Sequence, residues 1–237
     1  MPAEPTTVRA VVPAAGAGHR MASDIPKQYL PLAGKTVIEH TLDALLSCPR
    51  IDSIVVAVAP DDADWPDIAS HYRKRPVESV TGGDERCHSV LNALDTLART
   101  AQDDDWVLVH DAARPCLRAA DIVTLIDTLA DDDTGGLLGV PVADTMKQVD
   151  THGRIERTVS REGLWHALTP QMFRLAPLRA ALRRSLSAGQ LVTDEAAAME
   201  LAGHRPRMVQ GHRDNIKITL PADLALASFY LQARSMP

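Results

Sequence analysis

Three short apolar stretches constrain this fold most: VRAVVP at 8–13, SIVVAVA at 53–59 and WVLV at 106–109. Each is too short for a stable helix, rich in β-branched residues and without a clear polar face, as expected of a strand buried on both sides. Between them the pattern changes to that of amphipathic helices. Residues 36–46 (TVIEHTLDALL) place Ile38, Leu42, Leu45 and Leu46 on one face, and 84–97 do the same with Cys87, Val90, Leu91, Leu94 and Leu97, with Asp84 expected as the cap. Strands and helices alternating in this way predict an α/β fold, a mostly parallel sheet covered by helices on both faces.

The remaining elements follow from the same reasoning. A short helix is expected within 61–75 and a short strand over 77–80; Asp121 is placed to cap a helix whose face is Ile122, Leu125, Ile126 and Leu129, and 135–142 reads as a further strand. The alternation then breaks. Residues 143–161 (ADTMKQVDTHGRIERTVSR) carry few core residues and a His152-Gly153 turn, which predicts a hairpin projecting from the domain. A two-stranded hairpin is marginal alone, so a partner subunit is its expected support. Residues 164–173 read as an irregular apolar segment. A helix is expected from near Pro177 to near Gly189, a short helix over 194–201, strands over 207–210 and 215–219 (NIKIT), and a last helix over 222–233 opened by Pro221. No internal repeat or linker divides the chain, so one domain over 1–237 is expected.

With 237 residues, 45% hydrophobic and 24% charged, the chain has the composition of an ordinary globular protein. It lacks a membrane-length apolar run and its N-terminus lacks a basic region followed by an apolar core, so a cytoplasmic location is expected. The three cysteines, Cys48, Cys87 and Cys116, are far apart and odd in number, which offers no disulfide framework, and the nine histidines form no metal-ligand spacing. A net charge of −6 with 3% aromatics gives neither the basic face nor the stacking platform that nucleic-acid binding requires.

The first strand runs into Ala14-Ala15-Gly16-Ala17-Gly18, followed by Arg20 and Lys27. Glycine lets a backbone approach a ligand closely and turn its N–H groups toward an anion, so this loop is a candidate phosphate cradle. The alternative is an ordinary Gly-Ala turn with two solvated cations. A Walker loop is excluded, because neither the second glycine nor a Lys-Ser or Lys-Thr pair is present. The dinucleotide pattern GxGxxG is half-matched, with Met21 in its third position; Glu39 stands at the distance of a ribose-binding acid but falls inside a helical pattern.

In open α/β sheets ligands bind beyond the carboxyl ends of the strands. Besides 14–27, the loops Gly82-Gly83-Asp84 and Asp111-Ala112-Ala113-Arg114 sit at such ends. Asp111 is a candidate Mg²⁺ ligand, since that ion takes one or two carboxylates plus substrate phosphates; the competing reading is a capping or Arg114-paired aspartate. Arg20, Lys27, Arg114 and Lys217 suit a site for several phosphates, whereas no GxSxG elbow or paired-carboxylate motif points to hydrolysis. Phosphoryl and nucleotidyl transfer need mostly positioning and charge stabilisation, which matches this inventory.

The ordered set PAAGAGHRM (13–21), PKQYL (26–30), GGDER (82–86), VHDAARP (109–115), DT (144–145), LWHALTPQ (164–171), TDEA (193–196) and DNIK (214–217) closely resembles the 2-C-methyl-D-erythritol 4-phosphate cytidylyltransferases, the CTP-using enzymes of non-mevalonate isoprenoid biosynthesis. The resemblance implies a Rossmann-like nucleotidyltransferase fold, a homodimer and Mg²⁺. It implies that Ala14, Ala15, Gly16 and Gly18, with Gly83, Asp84 and Ser89, hold CTP, and that Arg20, Lys27 and Lys217 lie on its phosphates. It places Asp111 at the metal and Ala112, Arg114, Thr145, Arg161 and Thr169 at the polyol phosphate, with Thr145 and Arg161 supplied across the dimer by the hairpin. Two rivals bear on the same residues, a ribitol 5-phosphate cytidylyltransferase and, from another class, a non-catalytic nucleotide-binding module. A nicotinamide enzyme would rest on the half-matched glycines alone.

Overall fold

The computed structural model describes residues 7–16 and 25–235. Strand β1 (Val8–Pro13) leads, and after the glycine loop a 3-10 turn (Lys27–Tyr29) and two short strands, β2 (Pro31–Leu32) and β3 (Lys35–Thr36), bring the chain to helix α1 (Val37–Leu46). Next come β4 (Ile51–Val58), α2 (Trp65–His71), β5 (Val77–Thr81), α3 (Arg86–Leu97), β6 (Trp106–Val109), α4 (Ala119–Leu129) and β7 (Gly135–Pro141). The hairpin strands β8 (Met146–Val149) and β9 (Ile155–Val159) precede β10 (Trp165–Arg174), α5 (Leu175–Ser187), α6 (Glu195–Leu201), β11 (Arg207–Gln210) and α7 (Pro221–Ser235).

Seven strands form one sheet in the order β11-β7-β10-β6-β1-β4-β5. All run parallel except β10, which is antiparallel to both of its neighbours. The period of two divides the side chains of each central strand between the faces. Ala10, Val12, Ile54, Val56 and Leu108 meet Ile38, Leu42 and Leu45 of α1 and Ile122, Leu125 and Leu129 of α4. On the other side Val11, Val55, Val107 and Val109 meet Val90, Leu94 and Leu97 of α3 and Leu178 and Leu182 of α5. A smaller cluster seats α7 through Ala227 on Leu30, Val37, Cys116 and Ile218.

Helix α1 begins with a capping box. The Thr36 hydroxyl accepts the Glu39 N–H, and the Glu39 carboxylate accepts the Thr36 N–H at 2.7 Å. The other oxygen of Glu39 meets His71 Nδ1 at 2.8 Å. Glu39 therefore closes a helix end, which accounts for it without a ribose.

Several boundaries differ from the sequence reading. Residues 164–173 are not irregular but carry β10, inserted between β6 and β7; its polar Thr169 and Gln171 are buried on specific partners, and the register shifts between Ala167 and Gln171, so the pattern has no clean period. Residues 215–219 form no strand. Their alternation comes from Ile216 and Ile218 packing against the α7 cluster, while a single ladder-like bond runs from Ile218 N–H to the Ala113 carbonyl. Helix α3 starts at Arg86 behind Glu85 rather than behind Asp84, because the glycine turn folds back onto Ser89. Asp121 lies inside the first turn of α4 and binds His212 Nδ1 at 2.6 Å instead of capping. Helix α5 begins two residues before Pro177, which the first turn tolerates because its N–H would have no partner there. The hairpin β8–β9 forms its own two-stranded sheet, with Met146, Val149 and Ile155 exposed.

Candidate active site

Backbone hydrogen bonds gather the three predicted loops at the carboxyl ends of β6, β1 and β5, with β4 standing between the last two. Ala14 N–H donates to the Ala57 carbonyl at 2.7 Å, Gly82 N–H to Val58 at 2.7 Å and His110 N–H to Val11 at 2.9 Å. They enclose a cavity of about 180 Å³ lined by Ala14, Ala15, Gly16, Lys27, Gly83, Asp84, Ser89, Asp111, Ala112 and Lys217, together with Gln28 and Arg86. At Gly82 a Cβ would stand 2.6 Å from Ala15 Cβ and 2.7 Å from Ser89 Oγ, so a side chain there would force the two walls apart. Gly16 is different: among the described residues a Cβ there would meet nothing within 4 Å. Gly18 and Arg20 lie outside the described residues.

Lys27 enters on the 3-10 turn. The buried Gln28 beside it donates from Nε2 to the Ala14 carbonyl at 2.7 Å and so holds that turn against the end of β1. Ser89 Oγ accepts the Gly83 N–H at 3.1 Å, which fixes the second loop over the first turn of α3.

Asp111 is the electrostatic centre. Its Oδ1 accepts Arg86 Nε at 2.9 Å, and its Oδ2 lies 2.8 Å from Lys217 Nζ and 3.5 Å from Arg114 Nε. Burial alone would raise the pKa of this carboxyl, but the charges of Arg86, Lys217 and Arg114 outweigh it and hold the group far below the usual carboxylate range. Asp111 is thus an Arg114-paired aspartate and, at the same time, an ionised carboxylate that lines the cavity. Among the described residues no three His, Cys, Asp or Glu side chains stand together as a metal cage. One ionised carboxylate beside a cavity that Lys27 and Lys217 also line fits a hard cation that takes its other ligands from substrate and water.

The neighbouring His110 is completely buried. Burial pushes its pKa down to about 4, against the opposing pull of the Arg114 carbonyl and Asp111, so the ring is neutral at pH 7. Its Nε2 lies 3.1 Å from the Arg114 carbonyl and must carry the proton; Nδ1, 3.0 Å from Thr169 Oγ1, is then an acceptor. Thr169 donates its only proton to His110 and accepts the Asp111 N–H at 3.1 Å. Its hydroxyl is left with acceptor capacity only.

A second cavity of about 420 Å³ adjoins the first and is lined by Arg114, Asp144, His166, Arg213, Asn215 and Lys217 among others. Between the two, a smaller space of about 150 Å³ is bounded by Arg86, Asp111, Arg114, Thr169 and Lys217. Arg114 is latched by Nη1 to the Asn215 carbonyl at 2.8 Å, and Asn215 Nδ2 reaches the Thr169 carbonyl at 2.8 Å. The Ala112 carbonyl accepts Thr41 Oγ1 at 2.9 Å, which orients the strand-end loop. Thr145 and Arg161 do not join this group. Both are exposed at the base of the hairpin and line none of the three cavities; Arg161 donates instead to the Ala143 carbonyl.

Sequence reasoning missed Arg86, Glu195, Gln28 and Asn215 as members of the site. All four stand inside the quoted motifs GGDER, TDEA, PKQYL and DNIK. The usable signal was a charged or amide residue at a strand-end or helix-start position with no amphipathic role.

A family model described as "IspD: 2-C-methyl-D-erythritol 4-phosphate cytidylyltransferase" matches residues 8–233. The protein of that name from Hahella chejuensis is 53% identical over 222 residues, covering 94% of this chain and 92% of its own. That of Pseudomonas putida is 54% identical over 217 residues, covering 91% and 92%. Among solved structures, a 4-diphosphocytidyl-2C-methyl-D-erythritol synthase superposes with a TM-score of 0.83 at 36% identity, covering 95% of this chain and 99% of that one. The Francisella tularensis cytidylyltransferase gives 0.81 at 36% identity, covering 95% and 100%.

Proposed function

The chain belongs to the 2-C-methyl-D-erythritol 4-phosphate cytidylyltransferase family, and on that premise we propose that it transfers the cytidylyl group of CTP to 2-C-methyl-D-erythritol 4-phosphate, releasing pyrophosphate. The observation that carries this reading is the position of Lys217, which lines both the glycine-walled cavity and the adjoining cavity with Arg114. Two anionic substrates seated in those spaces meet at one ammonium group. Ala14, Ala15, Gly16, Gly83, Asp84 and Ser89 would hold the cytidine end, and Lys27 and Lys217, with Arg20, the phosphates. Ala112, Arg114 and Thr169 would serve the polyol phosphate.

A phosphate monoester has its second pKa near ~6, so the attacking oxygen is already anionic at neutral pH and needs no general base. A buried, neutral histidine bonded to a threonine is consistent with that chemistry. The polyol phosphate oxygen forms a bond to the α-phosphorus of CTP while the bond from that phosphorus to the bridging oxygen breaks; pyrophosphate carries away the electron pair. Cations around the cavity offset the charge that gathers in this transition state. Asp111 would hold Mg²⁺, whose contribution is to polarise the phosphoryl oxygens.

Thr145 and Arg161 would reach the polyol phosphate of a second subunit, and the exposed apolar residues of the hairpin would supply the contact. The protein would then act as a homodimer in the cytoplasm. Pyrophosphate release measured with CTP and either 2-C-methyl-D-erythritol 4-phosphate or ribitol 5-phosphate tests the assignment. Preference for the methylerythritol substrate is expected; preference for ribitol 5-phosphate would overturn it, and CTP binding without turnover would favour the non-catalytic module.

A further inference from the structure

Glu195 is 0% exposed, touches none of the three cavities, and still commits both carboxylate oxygens to one guanidinium. Its Oε1 accepts Arg86 Nη1 at 2.6 Å and its Oε2 accepts Nη2 at 3.0 Å, a two-point grip that fixes the plane of the group. The remaining edge of the same guanidinium, Nε, donates to Asp111 Oδ1 at 2.9 Å. Glu195 is itself held in place. It opens α6, where Asp194 Oδ1 accepts the Ala197 N–H at 2.9 Å. Gln171 of β10 accepts the Ala196 N–H at 2.8 Å and donates to Asp194 Oδ2 at 2.9 Å. A chain of fixed contacts therefore runs from β10 through α6 and Arg86 to one oxygen of Asp111.

We propose that Glu195 is a positioning residue that acts through Arg86 to hold Asp111 Oδ1, leaving Oδ2 as the oxygen that exchanges Lys217 for incoming ligand. The proposal rests on the cytidylyltransferase reading. It explains why an acid stands in the TDEA segment although its side chain reaches no cavity. Three cations and two carboxylates meet here, so the cluster keeps a surplus positive charge suited to phosphates. Without Glu195 the Arg86 fork loses its orientation, and both oxygens of Asp111 become free to rotate among Lys217, Arg114 and ligand. Groups that orient a ligating residue in this way change affinity or activity by about 10- to 100-fold when removed.

The test is a double-mutant cycle read by calorimetric CTP binding in the presence of Mg²⁺, with wild type, Glu195→Gln, Asp111→Asn and the double variant. Glu195→Gln is expected to weaken CTP binding about 10-fold in the wild-type background and to have little effect beside Asp111→Asn. Equal losses in both backgrounds, or none in either, would overturn the proposal, since a merely structural glutamate gives additive effects. Arg86→Lys, which keeps the charge but cannot grip both carboxylates, replaces Glu195→Gln in a second cycle and covers the case in which Glu195→Gln does not fold. A wild-type protein that neither binds CTP nor releases pyrophosphate would instead refute the functional reading and the inference with it; an active wild type with unaltered variants refutes the inference alone.

Discussion

Lys217 Nζ and Asp111 Oδ2 lie 2.8 Å apart, joining the loop that precedes α7 to the end of β6 in the middle of the sheet. The lysine is the more replaceable partner for folding, because Arg86 and Arg114 still compensate Asp111 when it is gone. It is the less replaceable for the proposed chemistry, because it lines both cavities. Lys217→Ala is expected to lower turnover by on the order of 10² or more while leaving thermal unfolding little changed. Pyrophosphate release and a melting curve on the same preparation check both halves.

Lys27 is expected to behave similarly. It lines the glycine-walled cavity on a turn that Gln28 pins to β1. Lys27→Ala should reduce turnover by on the order of 10², as loss of a transition-state charge contact does. Near wild-type turnover would remove it from the catalytic group.

His110 makes stability depend on pH. In the unfolded chain its pKa returns to the ordinary 6.5, whereas in the fold it is about 4. Between these values the unfolded chain binds a proton that the folded one does not, so the contribution is complete above pH 6.5 and is lost as pH falls toward 4. Its size is about 3 kcal/mol. Urea unfolding of metal-free protein at stepped pH, compared with His110→Asn, should show a shallower fall over this window in the variant.

The proposed sharing of Thr145 and Arg161 between subunits is tested by complementation. Arg161→Ala and Lys27→Ala are each expected to be nearly inactive, but a mixed dimer has one site with Lys27 from one chain and Arg161 from the other. Activity regained on mixing and re-equilibrating the two variants is the expected outcome. No recovery would place Arg161 in its own chain's site or outside catalysis.

The capping box of α1 predicts a change confined to stability. Thr36→Ala removes the acceptor for the Glu39 N–H and should cost about 1 kcal/mol with turnover unchanged. A rise in KM for CTP would reopen a nucleotide role for this corner of the molecule.

The sheet was legible because its central strands are apolar on both faces and its helices apolar on one, so each segment announced its environment. Strand β10 escaped notice because Thr169 and Gln171 are buried for their hydrogen-bond partners, which a hydrophobic period does not register. The 215–219 segment misled in the opposite sense, since Ile216 and Ile218 alternate to fill a side cluster rather than a sheet face. In the site, Asp111 and the cations around it were recognisable from residue type at strand ends. Arg86 and Glu195 lie 109 positions apart in sequence and become partners only once Gln171 of β10 has fixed the start of α6. Nothing local marks such a pair. The neutral state of His110, and with it the direction in which Thr169 offers its hydroxyl, follows from burial that only the assembled fold creates.

The late place of β10 in the sequence also has a consequence for the chain while it is being made. Until residues 165–174 are made, β6 is an open edge of wholly apolar residues, and β7 has no route into the sheet, because β10 alone separates and joins them. A nascent chain that already holds β1, β4, β5 and β6 therefore presents a sticky, unpaired border through the synthesis of α4, β7 and the entire hairpin. Unpaired edges of this kind invite association with other chains. The strand that carries Thr169 to the candidate site is thus also the one that covers this edge.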